Sequence, residues 1–268
     1  MQRRRYDMSN LEETARSLYK EGKVKLIIGF EEGTGHPRPF FCTSADDIPK
    51  LILDKRCHNN TAVYLTRKEV RDEGPVGIVA TPNVLRSVLQ LGRENQIYEG
   101  EFLFIAGEYA SDVQVLEDKT AIQDYADAHP AESNPKDEEM LHRIGSMSRE
   151  DRWTFWKDEL SKCIRCYACR AACPLCYCER CIVEVNCPQW IDPWAAPLSN
   201  MEWQINRVMH MAGRCTGCGA CYEACPLDLP IHLLTRELTS EVTEDFGKDT
   251  SGNVLSTFNL ADKGNFFK

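Results

Sequence analysis

The sequence of 268 residues lacks long apolar segments and has no excess of positive charge. No apolar run approaches the roughly 20 residues that a transmembrane helix needs, and no signal-peptide core follows the N-terminus. We therefore expect a cytoplasmic protein with no transmembrane segment of its own. The formal net charge is -9, whereas a nucleic-acid interface needs a basic face, so we expect no nucleic-acid partner.

The sequence also lacks the glycine-rich motifs of nucleotide sites, since it contains neither G-x-G-x-x-G nor a Walker loop. No paired acid and base, and no activated nucleophile, lie near the cysteine motifs described below. These absences favour a protein that makes and breaks no bonds alone, with no catalytic residues. Because flavin sites often lack a motif, a flavin in the N-terminal part stays open.

Cysteine, in contrast, is abundant, with 14 residues. Two of them, Cys42 and Cys57, have no ligand-like spacing and are expected to be buried core thiols. The other twelve all fall between residues 163 and 225. In a cytoplasmic chain, such a concentration indicates metal ligands and not disulfides.

Two of the cysteine runs share one spacing, C-x2-C-x2-C-x3-C, and each is followed by a proline. This run holds cubane iron–sulfur clusters in bacterial two-cluster ferredoxins, in which the fourth cysteine binds the other cluster. Zinc also uses Cys-x2-Cys pairs, but it needs neither the third cysteine nor the repeated proline. The sequence therefore predicts two 4Fe-4S clusters with crossed ligands: Cys163, Cys166, Cys169 and Cys225 for the first, and Cys215, Cys218, Cys221 and Cys173 for the second.

An insertion between the two runs, residues 175–214, contains four more cysteines: Cys176, Cys178, Cys181 and Cys187. Four thiolates are a full set for another cubane or for tetrahedral zinc. The alternative is four spare buried thiols, which the polar residues between them disfavour. Because Cys187 is followed by proline, as in the two ferredoxin runs, we predict a third centre and prefer iron–sulfur to zinc.

Apolar patterns predict the secondary structure around these runs. Five strands are expected, at residues 24–30, 40–43, 60–65, 76–80 and 102–105, and the last three are expected to be buried. Helical patterns at residues 9–20, 44–53 and 81–92 alternate with them, which predicts a small α/β domain with a mainly parallel sheet. Later helices are expected from Ser148, with Trp153 and Trp156 covering the clusters, and over residues 201–212, with Met209 and Met211 in the core.

We therefore predict an α+β protein in which a small α/β domain precedes a two-cluster ferredoxin-like domain with an inserted cysteine-rich loop. The boundaries are residues 1–116 for the α/β domain, 117–147 for an acidic linker, 148–236 for the cluster domain, and 237–268 for a polar C-terminal tail. Within the linker, a short helix is expected at residues 119–128.

Several stretches of the sequence resemble one family of iron–sulfur subunits from anaerobes. They are EGKVKLIIGFEEG, PVGIVATPNVLRSVLQ, RWTFWKDE, KCIRCYACRAACPLCYCERC, CPQW and GRCTGCGACYEACP. The family is related to the β-subunits of deazaflavin-coenzyme hydrogenases and dehydrogenases, and its members accompany heterodisulfide-reductase-like and formate dehydrogenase-like modules. The resemblance covers most of residues 15–236.

The resemblance implies an electron-transfer subunit of a multi-subunit anaerobic redox complex. Its partners would be flavoprotein, hydrogenase, dehydrogenase or heterodisulfide-reductase-like subunits. The alternative is a flavin-containing oxidoreductase subunit that oxidises or reduces a nicotinamide or deazaflavin coenzyme. Where the family often has Gly-Cys-Asp, this chain has Thr81, Pro82 and Asn83, and the larger flavin-binding portion of true β-subunits is not evident. Both departures favour the non-catalytic relay.

Overall fold

The computed structural model describes residues 9–131, 134–181, 183, 185 and 187–246. The chain divides into two compact units, Met1–Ala131 and Glu132–Lys268, and the division falls within the predicted acidic linker. Each unit has a hydrophobic core of its own. Within these residues, no helix is both long and apolar enough to cross a membrane.

The first unit is a five-stranded sheet with helices. Its elements are α1 (Ser9–Lys20), β1 (Leu26–Glu31), β2 (Arg38–Cys42), α2 (Lys68–Asp72), β3 (Val76–Ala80), α3 (Pro82–Arg93), β4 (Phe102–Ala106), β5 (Gln114–Leu116) and α4 (Lys119–Ala128). The strand order is β2-β1-β3-β4-β5. The three central strands are parallel, as predicted, whereas both edge strands pair antiparallel.

The central strands are buried because their sequences are almost wholly apolar, as is typical of parallel strands covered on both faces. Packing around β1 is so close that a side chain at Gly29 would meet its neighbours. A Cβ there would lie 2.8 Å from a Leu51 methyl carbon and 2.9 Å from one of Val79. The thiols of Cys42 and Cys57 are buried in the same core, as predicted.

Two of the predicted elements of the first unit are wrong. Residues 60–65 form no strand, because Thr61–Tyr64 is a 3-10 helix whose N-cap, Asn60, accepts a hydrogen bond from the Ala62 amide. Residues 44–53 contain a 3-10 helix, Ala45–Lys50, instead of an α-helix, and Pro49 lies inside it. The helix predicted after Thr81 is present as α3, with Pro82 as its first residue, although the Thr81 side chain makes no capping hydrogen bond.

The described part of the second unit is helical. Its helices are α5 (Pro135–Gly145), α6 (Arg149–Ser161), α7 (Ala168–Ala171), α8 (Pro197–His210), α9 (Ala220–Glu223) and α10 (Ile231–Phe246). The Ser148 hydroxyl accepts a hydrogen bond from the Asp151 amide at 3.1 Å and so caps α6. Helix α8 packs against α6 and α10, and Trp203 of α8 is in the centre of this core.

Several predictions for the acidic stretch and the C-terminal part need correction. The short helix at residues 119–128 is confirmed as α4, but the predicted linker also contains α5, in which Pro135 is the first helical residue and the Asn134 side chain accepts a hydrogen bond from the Lys136 amide. Residues 237–246 of the predicted polar tail belong to helix α10, and residues 247–268 lie outside the described chain. Helix α8 begins at Pro197, before its predicted start at residue 201.

Candidate iron–sulfur site

The first cysteine run forms a tight loop between α6 and α7. Two of its residues, Arg165 and Tyr167, have φ angles of 54° and 61°, in the left-handed region that residues with a side chain seldom adopt. This conformation turns the Arg165 amide towards the Cys163 sulfur, with the nitrogen 3.3 Å from Sγ. A backbone N–H directed at sulfur stabilises a thiolate, so the loop is shaped for a cysteine that binds metal.

The second run repeats this geometry with glycines. Gly217 and Gly219 stand two and four places after Cys215, as Arg165 and Tyr167 stand after Cys163, and their φ angles are 70° and 73°. The Gly217 amide nitrogen lies 3.4 Å from the Cys215 sulfur. Each loop then enters a one-turn helix, α7 or α9, that carries its third cysteine, and these two helices pack together.

The thiols of the two runs lie close to one another, and Cys163, Cys169, Cys221 and Cys225 share one hydrophobic cluster. Burial raises the pKa of Cys169, and the neighbouring thiols of Cys163 and Cys225 raise it further. Burial likewise raises the pKa of Cys215, and the thiols that add to this effect are Cys218, Cys173 and Cys221. The fourth cysteine of each run therefore lies beside cysteines of the other run. Cys166, the remaining predicted ligand, is exposed on its loop.

Of the four cysteines of the insertion, Cys176 lies beside Cys173 and Cys169. Its amide donates a hydrogen bond to the Cys173 carbonyl at 3.1 Å, and the neighbouring Cys176 thiol lowers the pKa of Cys173. Cys178 and Cys187 are exposed, and Cys181 packs at the edge of the core around Trp203. Within the described ranges, no three His, Cys, Asp or Glu side chains are gathered closely enough to hold a single metal ion. A cubane distributes its four thiolates over four iron atoms, so its ligands lie farther apart than those of one ion.

Helix α8 presents buried polar side chains to the first cysteine loop. The Asn200 amide donates to the Cys163 carbonyl at 2.6 Å, and the Gln204 amide nitrogen lies 3.6 Å from the Cys163 sulfur. One turn further on, the Arg207 guanidinium donates to the Cys169 carbonyl at 3.0 Å. Sequence reasoning missed these three residues, although their spacing of four and three places them on one face of the helix.

Arg207 is 5% exposed, and among the residues that the structure describes, none accepts a hydrogen bond from its Nε or Nη1 atom. Burial alone would lower the pKa of this guanidinium, but the thiols of Cys169, Cys173, Cys176 and Cys221 outweigh burial and raise it above its ordinary value. A buried cation surrounded by cysteines fits a thiolate-ligated cluster, which carries negative charge. The two amides directed at sulfur fit the same group.

The aromatic cover of the site differs from the prediction. Trp153 of α6 is 53% exposed, so it does not shield the cysteines, and Met209 is 56% exposed. The buried indole is that of Trp203, whose ring lies edge-to-face against Tyr167 with centroids 5.3 Å apart. Met211 is buried as predicted, and its sulfur lies 4.0 Å from that of Cys173.

Known proteins share part of this sequence. Residues 208–229, which contain the second cysteine run, match the family model of the 4Fe-4S binding domain. The chain is 32% identical over 92 residues to the F420-dependent formate dehydrogenase subunit beta of Methanocaldococcus jannaschii, covering 34% of this chain and 24% of that protein. It is 30% identical over 92 residues to the F420-dependent formate dehydrogenase 1 subunit beta of Methanococcus maripaludis, covering 34% and 23%.

The matched segment thus spans about a quarter of the length of these curated relatives. Over that segment, the predicted resemblance to β-subunits of dehydrogenases is confirmed. The match to the 4Fe-4S binding domain confirms an iron–sulfur protein with at least one 4Fe-4S cluster.

Proposed function

We propose that the chain is an iron–sulfur electron-transfer subunit of a multi-subunit redox complex, with two 4Fe-4S clusters bound by crossed ligand sets. The first set is Cys163, Cys166, Cys169 and Cys225, and the second set is Cys215, Cys218, Cys221 and Cys173. The observation that carries the proposal is the position of the two fourth cysteines. Cys225 is a neighbour of Cys169, and Cys173 is a neighbour of Cys215.

A bound 4Fe-4S cluster supplies one-electron transfer at a potential set by burial and by hydrogen bonds to its sulfur atoms. The protein contributes these conditions through the loops and α8. The amides of Arg165 and Gly217 point at ligand sulfurs, and Trp203 and Leu160 are buried beside the first loop. Such an arrangement holds a redox group rigidly and limits its contact with water.

A partner subunit is supported by the relatives and by the surface near the cysteines. Both curated relatives are named as beta subunits of F420-dependent formate dehydrogenases. In this chain, Ile164 and Leu227 lie next to the ligand loops and are 57% and 41% exposed, and Trp194 is 64% exposed. Exposed apolar side chains beside a redox site suit docking of another protein. We therefore propose a dehydrogenase or flavoprotein subunit as the electron donor or acceptor.

The test is anaerobic purification of the chain alone and from its native cells. Alone, it should hold at least about eight irons and show at least two reduced-cluster signals in electron paramagnetic resonance. It should not oxidise or reduce a nicotinamide or deazaflavin coenzyme by itself, whereas native preparations should contain further redox subunits. Coenzyme turnover with a flavin absorption band in the pure chain would replace this proposal by the enzyme alternative.

The third centre at Cys176, Cys178, Cys181 and Cys187 stays a prediction. Iron and zinc analysis of the same anaerobic protein decides among its alternatives. About twelve irons per chain would support three cubanes, and about eight irons with one zinc would indicate a zinc site. About eight irons without zinc would mean that these four thiols are free.

A further inference from the structure

The guanidinium of Arg207 lies where the two proposed ligand sets meet. Its neighbours include Cys169 of the first set and Cys173 and Cys221 of the second. Helix α8 carries it to this position from the insertion, outside both ferredoxin runs. Its hydrogen bond to the Cys169 carbonyl uses one N–H, and Nε and Nη1 have no partner within the described part of the chain.

Arg207 differs from Arg236 of α10, another arginine of the same unit, in its lack of a carboxylate partner among the described residues. Arg236 forms ion pairs with Asp137 at 3.5 Å and with Glu138 at 2.6 Å. Among the described residues, no carboxylate forms an ion pair with Arg207. Burying a cation without a counter-ion is costly, so the negative charge that balances Arg207 has to come from the cysteine sulfurs and from what they bind.

We propose that Arg207 is the shared counter-charge of both clusters and raises both reduction potentials, an inference that rests on the function proposed above. The reason is electrostatic. Each cluster becomes more negative by one charge on reduction, and a fixed cation nearby stabilises the reduced form more than the oxidised form. Because Arg207 has neighbours in both sets, its removal should affect both clusters.

Gln204, one turn earlier on α8, offers a matched comparison. Its amide nitrogen lies 3.6 Å from the sulfur of Cys163, which belongs to the first set only. A hydrogen bond to a ligand sulfur also favours the reduced state. Replacing Gln204 with leucine should therefore lower one midpoint potential, whereas replacing Arg207 with glutamine should lower two.

The experiment is a dithionite titration of anaerobic full-length protein, followed by electron paramagnetic resonance, with iron content measured in parallel. The variants are Arg207→Gln, Arg207→Lys, Gln204→Leu and Arg236→Gln. We expect both potentials to fall in Arg207→Gln, only one in Gln204→Leu, and neither in Arg236→Gln. Unchanged potentials in an Arg207→Gln protein with full iron content, or a shift of only one, would overturn the proposal.

Arg207→Lys keeps the inference testable if the glutamine variant binds less iron. A shared counter-charge requires that lysine restores iron content and both potentials. An arginine needed for the shape of its guanidinium and not for its charge would leave lysine as defective as glutamine, and that result would refute the idea. Wild-type protein with about four irons would instead reject the two-cluster function itself, which separates the two failures.

Discussion

Crossed ligation predicts a pattern of iron contents that depends on which cysteines are removed together. Cys173→Ala should remove one of the four ligands of the second cluster, so iron content should fall from about eight to about four per chain. Adding Cys215→Ala removes a second ligand of the same cluster, and about four irons should remain. Adding Cys163→Ala to Cys173→Ala damages both clusters instead, and little iron should remain.

Sequential ligation, in which each run binds its own cluster, reverses these two outcomes. Under that wiring, Cys163 and Cys173 would share a cluster, and their double variant would keep about four irons. One feature of the structure has to be controlled. Cys176 hydrogen-bonds to Cys173 and could replace it as a ligand, so the whole series is made in a Cys176→Ala background.

The assay is iron quantification with electron paramagnetic resonance of the dithionite-reduced proteins, all purified without oxygen. Retention of about four irons in the Cys163→Ala, Cys173→Ala protein, with loss in the Cys173→Ala, Cys215→Ala protein, would refute the crossed arrangement. Circular dichroism of each variant confirms that the helices of the second unit have formed. The signal that survives in each double variant then assigns the spectrum of one cluster.

Three further predictions concern stability. Gly29→Ala should lower the free energy of unfolding by about 1–3 kcal/mol in urea titrations, because its Cβ would overlap the core of the first unit. Gly92→Ala, in helix α3, should instead stabilise by about 0.5–1 kcal/mol, because the new Cβ would meet no described atom within 4 Å beyond its chain neighbours and the backbone of its own helix. Equal effects of the two substitutions would contradict the packing argument. Burial raises the pKa of Cys57 to about 11, so its contribution to stability should be present below its ordinary pKa and lost as pH rises towards 11. Cys57→Ala should flatten that part of a melting-temperature profile, and an unchanged slope would count against burial as the cause. Trp203→Ala should cost about 3–5 kcal/mol and speed iron release, whereas Trp153→Ala should change stability by less than about 0.5 kcal/mol, and similar losses would contradict the assigned core.

Secondary structure was predicted correctly where a local sequence pattern is compatible with only one type of element. Strands β3 and β4 were found within one residue, since both are short, continuous apolar runs. Residues 60–65 look the same in sequence, but Thr61 and Ala62 are buried in a 3-10 helix. An apolar run indicates burial, but it distinguishes a strand from a helix only when the spacing of its apolar residues shows a period of about two or 3.6 residues. Strand β5 has three residues, too few to show such a period.

The polar face of α8 depends on contacts between distant parts of the chain. Polar side chains such as Asn200, Gln204 and Arg207 are expected to be exposed to solvent, yet each is 5% exposed or less. They are buried because carbonyl and sulfur groups of the first cysteine loop provide partners. The cysteine spacing can be recognised in the sequence because the geometry of the cluster ligands requires it. The packing of α8 on the first cysteine loop, in contrast, depends on contacts between residues that are distant in the sequence.

The position of α8 also orders events during synthesis of the chain. Asn200 follows Cys163 by 37 residues, so the first cysteine loop leaves the ribosome well before the helix that hydrogen-bonds to it. Until then, the Cys163 carbonyl lacks its amide partner and Trp203 is absent from the core. A nascent chain stopped before α8 therefore exposes reactive thiols to oxidants and foreign metals. Because the chain is made from its N-terminus, the first loop stays unprotected at least until α8 has emerged from the ribosome.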